Sequence, residues 1–175
     1  MNIRLAILGL AALLQIAAKE KNGEAWKELA PKDAGFVVMM PGTPIEQKES
    51  LRLVSGPVEL SIHAVERKQE ETVFIAMYCE LAEAVFKKGT TEQRLDYARN
   101  RAVANTRGKL ASEKKIKLGA HPGRELVFEV EGKGQVRQVI YVVKNNLYQL
   151  LVAGPKEKTT SRDADRFFQS FKLKP

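Results

Sequence analysis

Covalent catalysis needs a nucleophile and a base beside it, and this chain offers few of either: Cys79 is its only cysteine, and His63 and His121 are its only histidines. A thiol becomes a working nucleophile when an imidazole within hydrogen-bond reach takes its proton. If residues 58–66 and 72–80 pair as a hairpin around "RKQEE", His63 falls opposite about Ile75. That places it four residues from Cys79, or roughly 13 Å at about 3.3 Å per residue. The separation argues against a dyad. Cys79 closes an apolar run and reads as a small buried hydrophobe. His63 reads as a residue on the solvated face of a sheet, and His121, before Pro122-Gly123, as part of an exposed turn. One cysteine and two widely spaced histidines do not supply a zinc pattern. The sequence contains no G-x-S-x-G, no H-E-x-x-H, no Walker loop and no G-x-G-x-x-G after a strand. "GKG" at 132–134 is too short to cradle phosphate and makes a turn. No catalytic, cofactor-binding or metal-ligating residue is assigned.

Carboxylates and cations complete the chemical inventory. Glu125, Glu129 and Glu131 alternate with Leu126, Phe128 and Val130, so they occupy the polar face of a strand as solvated charge, not as an acid–base pair. Asp163 and Asp165 fall in the first turn of the last helix, where negative charge complements the helix dipole. The basic groups are the strongest candidates for a working surface. Arg107, Lys109, Lys114, Lys115, Lys117 and Arg124 cluster locally, and Lys156, Lys158 and Arg162 add a second group. With 29 Lys and Arg against 21 Asp and Glu, the formal charge is +8. Such a balance draws in anionic polymers, lipid headgroups or acidic protein surfaces at long range. Nucleic-acid modules interleave such charges with exposed aromatics or present a helix to a groove. Neither feature is evident, so no specific nucleic-acid partner is expected.

The elements that would position these groups follow from periodicity. "FVVMM" at Phe36–Met40 is a short strand stopped by Pro41-Gly42. Val58, Leu60, Ile62 and Ala64 alternate with Glu59, Ser61 and His63, the pattern of a sheet with one wet face. Thr72 to Tyr78 is apolar on both faces and reads as a central strand. Thr90 with Gln93 matches a capping box, and Leu95, Ala98, Ala102 and Val103 recur at helical spacing, which predicts a helix from about Thr91 to Arg107. Strands return in "LASEKKIKLGA", in "RELVFEVEG" and in "QVRQVIYVVKNNLYQLLVAGP". The last of these is a hairpin turning at Asn145-Asn146, apolar on both faces and hence the covered centre of the sheet. In "TTSRDADRFFQSFKL", Thr160 and Asp163 suit a helix start. Ala164, Phe167, Phe168 and Phe171 then fall on one stripe that must be buried. Strands, helix, strands, helix is the order of an α+β fold, an antiparallel sheet with helices packed on it.

The first residues obey a different grammar. "MNIRLAILGLAALLQIAA" has a positive start at Arg4 and an apolar run from Leu5 to Leu14, shorter than the roughly 20 residues that span a bilayer. Residues 1–18 are therefore expected to be a signal peptide cleaved near Ala17-Ala18, and residues 19–175 one globular domain. Arg4 is the only charged residue of the leader, so the mature chain stays basic. A lone cysteine leaves stability to the core rather than to disulfides.

The layout also carries a resemblance. A Trp-containing start, "GFVVMMPGTP", a mid-chain helix, "GAHPGRE", "LYQLLVAGP" and a closing "DADRFFQSFKL" are together similar to small exported proteins of the PsbP-like and DcrB-like kind. The resemblance lies in layout across residues 26–173 and not in a diagnostic motif. It implies an antiparallel sheet sandwiched by helices (an α/β/α sandwich) and an accessory or binding role. It carries over no site residues and no cofactor. Three functional readings stand. The first is an exported, non-catalytic accessory or binding protein, periplasmic or extracellular, with an unknown protein or envelope partner. The second is a binder of anionic polymer or membrane surface through the lysine-rich cluster. The third is a hydrolase without a recognisable motif.

Overall fold

The computed structural model describes residues 25–174 apart from 33, 54–55, 82–88, 107 and 133. The expected leader at 1–18, Arg107 and the centre of the "GKG" turn lie outside the described residues. Among the described residues, ten strands and three α-helices follow one another: β1 Lys27–Leu29, β2 Phe36–Met40, β3 Ile45–Leu53, β4 Gly56–Arg67, β5 Thr72–Glu80, α1 Thr91–Thr106, β6 Lys109–Leu118, β7 His121–Val130, β8 Gly134–Val143, β9 Asn146–Gly154, α2 Lys156–Thr159, α3 Arg162–Gln169 and β10 Lys172–Leu173. Seven strands form one antiparallel sheet in the order β3-β4-β5-β9-β8-β7-β6, and β1-β2-β10 form a second, small sheet. The class is α+β, as the alternation of strand and helix patterns implied.

The β8–β9 hairpin holds the middle of the large sheet. Its register runs from Gln135↔Gly154 to Val143↔Asn146, so the turn is Lys144-Asn145, one residue upstream of the expected Asn145-Asn146. Lys144 takes the left-handed backbone there, with φ of 50°. The shift sets Tyr141 against Tyr148, and both rings pack on Phe171.

Two apolar clusters lie on the two faces of the large sheet. One unites Val65, Phe74, Val139, Leu150 and Val152 with Phe36, Val38 and Met40 of β2 and with Ala164, Phe167 and Phe171 of the closing segment. The other joins Ile62, Ile75, Leu126, Phe128 and Ile140 to Leu95, Ala98 and Ala102 of α1. The α1 start is capped reciprocally: Thr90 N–H donates to Gln93 Oε1 at 2.8 Å, and Gln93 N–H donates to Thr90 Oγ1 at 3.3 Å. For α3 the cap is Ser161, whose Oγ accepts from Ala164 N–H at 3.3 Å. The chain before it, including Thr160, follows the separate short turn of α2.

The face of β4 expected to be wet is not. His63 is 3% exposed and stacks on Tyr78 with ring centroids 6.2 Å apart. Val65, two residues along on the same face, belongs to the cluster that β2 and α3 cover. Alternation of polar and apolar residues marked the two faces correctly, but from Ser61 to Val65 both are covered.

Candidate functional site

The basic cluster predicted from sequence is carried by β6, which ends the large sheet and, among the described residues, pairs only with β7, from Lys109↔Glu129 to Leu118↔His121. A bulge at Ala111, between Leu110 and Ser112, governs what this strand displays. Leu110 packs toward the α1 cluster, whereas Ile116 and Leu118 pack toward the other. Without the extra residue these even-numbered positions would share one face, because strand side chains alternate with a period of two. The bulge therefore also sorts the cations. Lys109 and Lys114 flank the edge on the Ile116 side, opposite Glu129 and Glu125, and Lys115 and Lys117 flank it on the α1 side, opposite Arg124 and Pro122. All four lysines are exposed.

Arg124 leaves the cluster. It is 3% exposed and lies under three carboxylates: Nη2 is 2.5 Å from Glu92 and 3.1 Å from Asp96, both on α1, and Nε is 3.1 Å from Glu113 on β6. Lys115 reaches Glu92 at 3.3 Å, and Arg99 reaches Glu113 at 3.3 Å. Hydrogen bonds from Arg124 and then Lys115 hold the Glu92 carboxyl below the usual carboxylate range. The Arg124 guanidinium is in turn raised, first by its bond to Glu92. Three cations and three carboxylates balance here, so the group fastens helix to sheet and presents no net charge. Among the described residues, Lys109, Lys114 and Lys117 have no carboxylate at ion-pair distance.

The remaining candidates are dispersed or structural. Cys79 is 5% exposed on the face carrying Leu147, and burial pushes its thiol up to about 11. His63 sits opposite Ala76, on the other face of the sheet, so no dyad forms. Glu125, expected as solvated charge, instead binds Arg137 Nε at 2.6 Å, while Arg137 Nη1 holds Asp165 at 2.6 Å and its guanidinium lies 4.8 Å from the Phe168 ring. Arg67 holds Asp163 in the same way, at 2.6 Å. The two acidic residues of the α3 first turn thus anchor that helix to β4 and β8 as well as complementing its dipole. Trp26 lies between Arg166 and Arg67, with guanidinium carbons 4.4 and 5.8 Å from its ring. Of the second basic group, Lys158 pairs with Glu70 at 3.0 Å. Among the described residues no group of three or more His, Cys, Asp or Glu is placed to hold a metal, and no helix is long and apolar enough to cross a membrane.

His63 makes one pH effect predictable. Its Nε2 is buried without a hydrogen-bond partner, and burial lowers its affinity for a proton, with Glu46 across on β3 opposing more weakly. The unfolded chain takes up a proton near pH 6.5 that the folded chain refuses. The stability this gives is complete above that pH and shrinks as pH falls from there toward the folded value. Urea unfolding between about pH 7.5 and 5 should show this loss in the wild type and a flatter profile in His63→Phe, which keeps a ring on Tyr78; parallel profiles would refute the assignment.

The architecture, a large antiparallel sheet with helices on both faces, is that of PsbP-like proteins. The solution structure of cyanobacterial PsbP (CyanoP) from Synechocystis sp. PCC 6803 superposes with a TM-score of 0.57 at 9% identity, covering 90% of this chain and 98% of that one. A crystal structure of PA94 from Pseudomonas aeruginosa, a protein of unknown function, aligns over 86% of this chain and 98% of its own at 12% identity with a TM-score of 0.39. No family model matches the sequence, and no curated protein matches it significantly. The likeness to CyanoP is one of fold.

Proposed function

We propose that this is an exported accessory or binding protein that acts by contact with a protein or envelope partner and not by turning over a substrate. One observation carries the reading: the charged groups brought together at α1, β6 and β7 are spent on one another, and the charge left unbalanced lies along the exposed edge of β6. Groups suited to covalent chemistry support it from the other side, since Cys79 and His63 are buried on opposite faces. Export is supported by the leader grammar of residues 1–18, and the PsbP-like fold is compatible with an accessory role. A second reading, contact with anionic polymer or lipid headgroups, is favoured by the same unpaired lysines. Mass spectrometry of the native protein tests the first reading. It should find an N-terminus near Lys19 in an extracytoplasmic fraction, with lysine-directed cross-links from β6 to another protein. Intact Met1 in the cytoplasm would contradict it.

A further inference from the structure

We infer that the free edge of β6 is a strand-addition site for an acidic, extended segment of another protein. The inference rests on the binding-protein reading and specifies where and how the contact is made. β6 offers ten residues that, among the described residues, have hydrogen-bonding strand partners on one side only. An outer strand is a template for another strand unless something forbids it, and charge on the edge is a common prohibition.

The two edges of this sheet use charge differently. On β3, Glu46, Lys48 and Glu49 mix signs, and Lys48 is neutralised by Glu59 at 2.9 Å. On β6, Lys115 is taken up by Glu92 and the single acid, Glu113, by Arg124 and Arg99, while Lys109, Lys114 and Lys117 have no carboxylate at ion-pair distance among the described residues. The excess is therefore specific to one edge and stands on both sides of its free backbone. A second copy of the chain arriving antiparallel would set lysine against lysine, which disfavours self-pairing. A segment with glutamates opposite Lys114 and Lys117 and apolar residues opposite Ile116 and Leu118 would complete the backbone ladder and gain cross-strand charge pairs. The occupant the edge selects is acidic, extended and not this chain.

The test uses the isotopically labelled full chain and a short synthetic peptide with Val-Glu-Val-Thr-Glu at its centre, which sets valine opposite Leu118 and Ile116 and glutamate opposite Lys117 and Lys114, at low salt. Backbone amides of β6 should shift and exchange more slowly with solvent on titration. Lys114→Gln/Lys117→Gln should weaken binding about tenfold, and raising salt to about 0.15 M should weaken it again. The same peptide N-methylated on alternate residues keeps its charge but cannot complete a ladder, so it should fail to protect β6. Equal binding of the N-methylated or the all-glutamine peptide would overturn the proposal, as would binding of heparin or anionic vesicles that persists at about 0.15 M salt without amide protection. Protection appearing only on another strand or on α1 would also overturn it, while leaving a binding protein with its site elsewhere.

Discussion

Phe167→Ala should destabilise the protein by about 3–5 kcal/mol, the range for truncating a buried phenylalanine. Phe167 is fully buried, meets Phe74 edge to face at 5.6 Å and touches Phe168 at 5.3 Å. With Ala164 it is the part of α3 that enters the cluster shared with β2, so its loss empties much of the junction between the large sheet, the small sheet and the helix. For a domain of this size the thermal midpoint should fall by on the order of 10 °C. Phe168→Ala, at a partly buried position under Arg137, should cost clearly less. A neutral Phe167→Ala would mean that α3 is not docked as described.

Arg124→Ala has the second largest expected effect. A fully buried ion pair broken on one side costs about 3–5 kcal/mol. Here Glu92 and Asp96 are each 47% exposed and Glu113 27% exposed, so they can partly rehydrate, and about 2–3 kcal/mol is expected. Arg124→Lys should restore little, because an ammonium cannot serve two carboxylates of α1 and one of β6 with a fixed fork. The pH dependence identifies the cause. Glu92 has a depressed folded-state value, so its contribution is present above its unfolded value near 4.5 and is lost as pH falls through the folded one. The gap between wild type and Arg124→Ala should therefore narrow in acid. A gap that stays constant from pH 7 to about 3.5 would assign the loss to packing alone.

What was legible in the sequence was local. The capping box at Thr90 and Gln93, the stripe of α1 and the doubly apolar β8–β9 hairpin are patterns contained within one or two elements, and each placed its element in the fold. The small sheet was not legible as a sheet. β10 is two residues long and pairs with Phe36 and Val37, a contact for which no local periodicity exists. β3 was also obscured, since "IEQKESLRL" alternates weakly and is dominated by polar residues. His63 was misplaced because burial of its face depends on that small sheet and on α3, not on β4 itself. The candidate surface was half legible. The lysines of β6 are visible as a run, but the bulge at Ala111 that divides them between two faces is not. Arg124 looked like one more cation because its partners Glu92 and Asp96 lie 32 and 28 residues away.

The same lysines could serve a protein partner or a polyanion, and retention on anionic vesicles and heparin across a salt series separates the two most directly. Screening lengths fall from about 30 Å at 0.01 M to about 8 Å at 0.15 M salt, so attraction by general positive charge decays over that range. The wild type should show weak retention at low salt that is gone near 0.15 M, with Lys114→Gln/Lys115→Gln/Lys117→Gln differing only slightly. Tight binding that survives 0.15 M salt in the wild type and disappears in the triple variant would contradict the protein-partner account and make the polymer surface the function.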